Sequence, residues 1–312
     1  MPSLASQFVN GVLAVKPLAN LAKHQARSMM ISRAESIGVS WRQEVQALRS
    51  RQGNSEFAAD WFAADWDREL AQLQSADLVY PDYYLTSFHA YEQGNLSWEA
   101  AMEVEVAAHA VHARIWPEAG AKGDAMLRQS FHRLLQQEIS PDPQAILDLG
   151  CSVGMSSFAL QSIYPQAQIT GVDLSPYFLA VAQYRAEQRF SASTITWIHA
   201  AAEATGLPDA SFDLVSAHLV FHELPQRAAV EILQEARRLL RPGGHLAIMD
   251  MNPRSEVFAK MPPYILTLLK STEPYLDQYF GLALEQAICA AGFSQPALFC
   301  NSHRHRTLIA QA

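Results

Sequence analysis

The chain has 312 residues, 49% of them hydrophobic and 17% charged, enough apolar material for one large core or two modest ones. Its formal net charge of -8 offers no basic field to a phosphate backbone, which argues against nucleic acid as a partner and for a small molecule. Three cysteines, Cys151, Cys289 and Cys300, supply neither a disulfide framework nor a four-cysteine metal site, so a reducing cytoplasm is the expected compartment.

In chain order, the first feature is an apolar stripe from Phe8 to Arg33 interrupted by Lys16, Lys23, Arg27 and Arg33. It reads as a helix packed on its own domain, with weak peripheral contact to a membrane surface as the alternative. No run reaches the roughly 20 apolar residues of a membrane span, and the start lacks the basic-then-apolar pattern of a signal peptide. Helical spacing of apolar residues then predicts helices over Ser40–Arg51, Glu56–Ala76, Trp98–Trp116 and Lys122–Glu138, with turns at Gln52-Gly53-Asn54, Tyr80-Pro81-Asp82, Gly94-Asn95 and Pro117. Residues 1–140 therefore read as a mainly helical N-terminal domain. Glu105, His109 and His112 share one face of the third of these helices, but no further histidine or cysteine completes a coordination set, so no metal is expected.

At Pro141-Asp142-Pro143 the texture changes to short β-type runs alternating with helical stretches, the pattern of βαβ units. Strands are expected over Ala145–Leu149, Gln168–Val172, Thr194–His199, Phe212–Ala217 and His245–Asp250, with a final antiparallel pair near Ala297–Cys300 and Thr307–Ala310. Between the fourth and fifth, Val230, Leu233, Ala236 and Leu240 form one apolar helical stripe that Arg241-Pro242-Gly243-Gly244 ends. Residues 141–312 thus form an α/β domain with an insertion near 254–280.

The first strand runs through Asp148 into Gly150-Cys151-Ser152-Val153-Gly154 and then into a helix. A dinucleotide site needs Gly-x-Gly-x-x-Gly, which Ser152, Val153 and Met155 spoil. The same five residues spell Gly-x-Ser-x-Gly, the nucleophile elbow of α/β-hydrolases, with Ser152 as nucleophile and Asp250 and His303 or His305 following in the right order. That fold needs several strands before its elbow, where this chain reads as helical. A third reading uses Asp173, at the end of the second strand and 19 residues past Gly154, as a carboxylate placed to hold a ribose.

Four ordered motifs decide among these: Asp148-Leu149-Gly150-Cys151-Ser152-Val153-Gly154, Gly171-Val172-Asp173-Leu174-Ser175, Leu207-Pro208-Asp209-Ala210-Ser211-Phe212-Asp213-Leu214-Val215 and Leu240-Arg241-Pro242-Gly243-Gly244-His245-Leu246. Together they resemble the class I S-adenosylmethionine-dependent methyltransferases, in the small-molecule branch that includes the ubiquinone and menaquinone enzymes, over about residues 144–252. The resemblance implies a Rossmann-like seven-stranded, mostly parallel sheet with helices on both faces, and S-adenosylmethionine as cofactor. It implies that Gly150, Cys151, Ser152 and Gly154, with Asp148 behind them, face the methionine part of the cofactor, that Asp173 holds the ribose, and that Leu174, Tyr177, Ala201, Ala202 and Glu203 flank the adenine. Where many relatives carry Asp-Ala-Glu this chain has Ala201-Ala202-Glu203, so the acid that takes the adenine amino group is missing. Ser152 replaces the usual middle glycine, a change that a negative φ would tolerate.

The fourth strand delivers His218 and His222-Glu223 to the ligand edge of the sheet. His222 is the expected general base, with Glu223 or His218 orienting it or touching the cofactor; packing at the next helix is the competing role. Asp250 and Asn252 follow the fifth strand on the same rim. The aromatic segments Tyr80–Tyr91 and Phe258–Phe280 are expected to cover the acceptor, through Tyr84, His89, Tyr91 and Tyr264, with interdomain packing as the alternative. O-methylation of a small aromatic or apolar acceptor follows from His222; C- or N-methylation and a non-catalytic cofactor-binding protein stay open, as does a homo-oligomer.

Overall fold

A computed structural model describes residues 16–51, 58–87, 89, 91–189 and 195–312. Residues 8–15 of the Phe8–Arg33 segment, the Gln52-Gly53-Asn54 turn, Glu56, Phe88, Ala90 and Thr194 lie outside the described residues.

The N-terminal part contributes α1 (Lys16–Ser36), α2 (Trp41–Ser50), α3 (Ala58–Leu73), α4 (Trp98–His112) and α5 (Gly123–Glu138). α4 begins where the Ser97 hydroxyl accepts from the Ala100 amide at 3.2 Å, and ends at His112, short of the expected Trp116. The crossing of α4 and α5 requires glycine: a Cβ on Gly123 would stand 2.4 Å from the His112 carbonyl oxygen.

The second part follows as β1 (Ala145–Leu149), α6 (Met155–Ile163), β2 (Gln168–Asp173), α7 (Pro176–Arg189), β3 (Ile195–His199), β4 (Phe212–His218), α8 (Gln226–Leu239) and β5 (Leu240–Met251). Next come α9 (Glu256–Ala259), α10 (Pro263–Thr272), α11 (Leu276–Gly281), α12 (Leu284–Ala290), β6 (Ala297–Cys300) and β7 (His305–Gln311). The seven strands form one sheet in the order β3-β2-β1-β4-β5-β7-β6, parallel except for the pairs that β7 makes with β5 and β6. The fifth strand starts earlier than expected, because Leu240 already pairs with Phe212 before the glycine turn. On α8 the buried stripe is Ala229, Ile232, Leu233, Ala236 and Leu239; Val230 is half-buried, and Leu240 belongs to the strand.

Successive strand residues point to opposite faces, so the sheet has a core on each side. Leu147, Leu149, Val215, Ala217, Leu246 and Ile248 pack under α8, α11 and α12. Ile146, Leu214, Ala247 and Met249 pack with Leu127, Phe131 and Leu135 of α5 and with Phe158 and Leu160 of α6. A third core joins Trp41, Val45, Trp66, Ala101 and Val106 to Val153, Phe178 and Val181. The helical half and the sheet half are thus continuous in packing: cores built by residues before 141 are completed by residues after it. Among the described residues, no helix is long and apolar enough to cross a membrane.

Candidate active site

Strand order reverses between β1 and β4, and a crevice opens beyond the carboxyl ends of the strands at such a switch point. The turn after β1 forms its floor. Amides of Gly150 and Cys151 both donate to the Val172 carbonyl, at 2.8 and 3.1 Å, which folds the chain back over β2. Gly150 has φ 65°, and a Cβ there would lie 2.6 Å from Val220. Ser152 has φ 50°, in the left-handed region, so the negative φ that would make a serine tolerable here is not met. The strained turn is held because the Ser152 amide donates to Asp173 Oδ2 at 2.8 Å. Behind it, Asp148 Oδ2 accepts from the hydroxyls of Ser156 and Ser157, both at 2.6 Å, and so anchors the start of α6.

Asp173 stands at the end of β2, with Oδ1 accepting from the Ser175 amide at 2.8 Å and Tyr84 Oη lying 3.5 Å away. Burial outweighs these donors and raises its pKa to about 6; burial does the same to Asp148. A cavity of about 570 Å³ opens from here, inside the roughly 300–1,000 Å³ of small-molecule sites. Of the residues singled out in the sequence, Gly150, Cys151, Ser152, Asp173, Leu174, Ala202, His218, His222, Glu223, Tyr84, His89 and Tyr91 line it. Others stand away from it. Asp148 and Gly154 shape the turn from behind, the latter against Phe158 and Trp197. Ala201 is buried and bridged to Ala204, Glu203 accepts from the Tyr83 hydroxyl at 3.0 Å with both oxygens, and Tyr177 packs edge-on against Trp98. Asn252 Oδ1 caps Arg254, and Tyr264 is 46% exposed, while Phe258, Met261, Ile265 and Leu269 of the same region face the cavity instead.

The rim carries a cluster of titratable groups. His222 Nδ1 lies 2.8 Å from Asp250 Oδ1, and the His222 amide donates to Asp250 Oδ2 at 3.1 Å. Its Nε2 is 4.0 Å from Glu223, whose carboxylate is 3.7 Å from His89 Nε2; His89 also meets Glu273 at 3.3 Å. Burial works against a charged imidazole, but Asp250 above all, with Glu223 and Glu273, pushes the His222 pKa up to about 10. His218 is the opposite case: burial and the Arg128 guanidinium hold it well below its ordinary value, and its Nε2 is buried with no hydrogen-bond partner. His218, at the end of β4, and His222, in the turn after it, therefore carry different charges at neutral pH.

Several cavity residues escaped the sequence reading. Arg128 of α5 is clamped by Asp124, which also lies 2.6 Å from His112 Nδ1. Glu273, Arg114 and Arg304 also line the cavity, as does His305, which the sequence offers only in the hydrolase reading. No local motif marks them; only the long-range packing of α4, α5, α10 and the β6–β7 loop brings them in. The serine-elbow reading fails on geometry: Ser152 Oγ has no hydrogen-bond partner, His305 is engaged with Ser302 at 3.0 Å, and among the described residues no strand precedes β1. The Glu105-His109-His112 set is likewise dispersed, with Glu105 paired to Arg185 and Arg189 and His112 to Asp124.

Residues 147–248 match the family described as Methyltransferase domain. That stretch is a methyltransferase domain of the class I, S-adenosylmethionine-dependent kind. Over 149 residues the chain is 32% identical to the 2-phytyl-1,4-naphtoquinone methyltransferase of Synechococcus elongatus, covering 47% of this chain and 59% of that protein. The ubiquinone biosynthesis O-methyltransferase of Psychrobacter arcticus is 32% identical over 155 residues, 48% of this chain and 59% of its own. The chain thus spans less than two thirds of these relatives. Among solved structures, a putative O-methyltransferase from Nostoc punctiforme aligns over 100% of both chains with a TM-score of 0.55 at 18% identity, which establishes a shared fold.

Proposed function

We propose that the protein is an S-adenosylmethionine-dependent methyltransferase acting on a small, apolar or aromatic molecule, with oxygen as the accepting atom. The observation that carries this is one cavity joining the Gly150–Ser152 turn and Asp173 to the His222–Asp250 pair. The donor set fits the cofactor: Asp173 offers carboxylate oxygens for ribose hydroxyls, Leu174 and Ala202 offer apolar walls for a base, and His218 presents an unpartnered nitrogen at the wall. In this reading the turn meets the methionine part, and backbone groups near Ala202 replace the acid absent at Ala201.

When bound, the cofactor supplies a methyl group already activated on sulfur. The protein's own tasks are then to align the acceptor, exclude water and take up the acceptor proton. His222 is the proton acceptor in this proposal, with Asp250 fixing its tautomer and Glu223 and His89 beside it. The neutral form of this imidazole, which grows as pH approaches about 10, is matched to a phenolic hydroxyl, whose pKa is also about 10, so the proton passes between them at little cost. That match favours oxygen over carbon or nitrogen. The quinone-related names of two relatives support an apolar acceptor.

Incubation with methyl-labelled S-adenosylmethionine and a metabolite extract, followed by mass spectrometry of the labelled product, identifies both acceptor and atom. Calorimetry that detects no cofactor binding would sink the proposal, and a labelled product undiminished in His222→Ala would remove the base. Cytoplasmic location is proposed from cysteine usage. Peripheral membrane contact through the Phe8–Arg33 segment is tested by vesicle flotation, and the oligomeric state by light scattering.

A further inference from the structure

Two arginines from distant parts of the chain, Arg114 and Arg304, stand in the wall of the cavity, and a third, Arg33, lies near enough to act on the charge of both. Arg33 comes from α1, Arg114 follows α4, and Arg304 stands in the β6–β7 loop. Arg114 and Arg304 line the cavity itself. The other two arginines in its wall are neutralised, Arg27 by Glu99 and Glu103 and Arg128 by Asp124. Among the described residues no carboxylate pairs with Arg33, Arg114 or Arg304, and Nε of Arg304 is buried with no hydrogen-bond partner. Their mutual proximity is felt in their charges: besides burial, Arg33 depresses Arg114, and Arg114 and Arg33 depress Arg304.

Such an arrangement costs stability in the empty protein, because like charges are brought together and one guanidinium is partly desolvated without a counter-charge. It runs against the overall charge of -8, so it is a local feature. Its position is informative. The Asn252 amide donates to the Arg304 carbonyl at 2.7 Å, and His305 pairs across the ladder with Met251. Arg304 is thereby fixed on the same rim as Asp250 and His222. Val111, Ile115, Phe258, Met261 and Ile265 add apolar lining to the same cavity.

We infer that the methyl acceptor is an anionic amphiphile: an apolar body in the cavity with a carboxylate, sulfonate or phosphate group seated between Arg114 and Arg304, Arg33 adding charge behind them. This rests on the methyltransferase reading above and narrows its substrate class. Guanidinium groups recognise such oxyanions by paired, charge-assisted hydrogen bonds, and in a partly dry site these are stronger than at an open surface.

The test uses two fluorescent probes that share an arene skeleton and differ in charge: 1-anilinonaphthalene-8-sulfonate and neutral N-phenyl-1-naphthylamine. Each is titrated into wild type, Arg114→Gln, Arg304→Gln and the double variant, and S-adenosylhomocysteine binding is measured by calorimetry on the same samples. Roughly tenfold or more weaker sulfonate binding in Arg304→Gln, with the neutral probe and S-adenosylhomocysteine within about twofold of wild type, is the expected result. Arg114 is exposed, so Arg114→Gln keeps the test valid should Arg304→Gln fold poorly. Equal changes for both probes, or none for either, overturn the inference. Flotation on phosphatidylglycerol vesicles that is lost in the double variant while sulfonate binding persists would overturn it in favour of a lipid surface. Wild type that binds the sulfonate selectively but not S-adenosylhomocysteine would leave an anion site and overturn its assignment to a methyl acceptor.

Discussion

His222 and Asp250 are joined twice, side chain to side chain at 2.8 Å and backbone amide to carboxylate at 3.1 Å. The double contact fixes the ring and its charge together. Because Asp250 is the main reason that the His222 pKa is raised to about 10, the free enzyme holds a proton there at neutral pH. As the base, His222 must lose it, so kcat/KM is expected to rise with pH toward about 10. In Asp250→Asn burial prevails over the remaining charges, the pKa falls, and the rising limb moves to lower pH. The maximal rate falls by roughly 10²–10⁴-fold, the usual range for lost acid–base assistance. A limb that stays in place in the variant, followed by labelled-methyl assay across pH, would rule out this role.

Asp173 is expected to matter for ligand and not for the fold. Its carboxylate is ionised against burial, so the native state is penalised as pH rises above the unfolded value near 3.8 and fully so beyond about 6. Asp173→Asn removes that penalty while losing an acceptor for ribose hydroxyls. Saturating ligand at a hundredfold over Kd adds about 2.7 kcal/mol to stability. The wild-type rise in melting temperature with S-adenosylhomocysteine should therefore shrink to near nothing in the variant, with the ligand-free melting temperature little lowered. A full ligand shift in Asp173→Asn contradicts the ribose role.

The glycine turn yields a paired test of backbone and side chain. Gly150→Ala meets a left-handed φ and a Val220 contact of 2.6 Å, and should cost at least roughly 2 kcal/mol in chemical denaturation. Adding Val220→Ala should recover the steric share and leave the backbone share. Ser152→Gly relieves a strained φ and removes a buried, unpartnered hydroxyl; offset by the freer unfolded chain, it should stay within about 1 kcal/mol of wild type and keep methyl transfer. Loss of activity in Ser152→Gly would reopen a chemical role for that hydroxyl.

Asp124 is buried, yet Arg128 and His112 hold its pKa far below the ordinary carboxylate value. A depressed carboxylate stabilises the native state above its unfolded pKa near 3.8, and that contribution is lost as pH falls below it. Asp124→Ala leaves the Arg128 guanidinium and the His112 ring without their shared carboxylate and should cost about 3–5 kcal/mol at pH 7. The loss should narrow as pH falls below about 4, where wild type weakens too. A variant deficit that is the same at pH 7 and below 4 in thermal melts argues against an electrostatic origin.

How far the sequence reveals this molecule depends on how local each signal is. The five parallel strands and the closing antiparallel pair were legible because apolar alternation and glycine punctuation act within a few residues. Asp173 and His222 were legible because they sit at fixed offsets from strands. The conformation of Ser152 was not, since the amide bond to Asp173 that holds it comes from a different strand. Tyr264 read as a cavity residue, yet its helix presents Ile265 instead, a rotation that only packing decides. Arg304 and Arg128 carried no signal at all: their meaning lies in which partners they lack or find across the fold.

The roof of the cavity is made of two pieces of chain that touch each other. The His89 amide donates to the Thr272 carbonyl at 2.9 Å, and the Tyr275 hydroxyl donates to the Tyr83 carbonyl at 3.4 Å across a separation of 192 residues. During synthesis the first piece therefore emerges long before the second, and Arg304 later still. The site is therefore assembled only after both pieces of the roof and the β6–β7 loop have been made. A ribosome-bound fragment ending before residue 263 carries the Gly150–Ser152 turn and Asp173 without the opposing half of the roof, so the enclosed cavity is a property that arrives only with the segment from Pro263 onward.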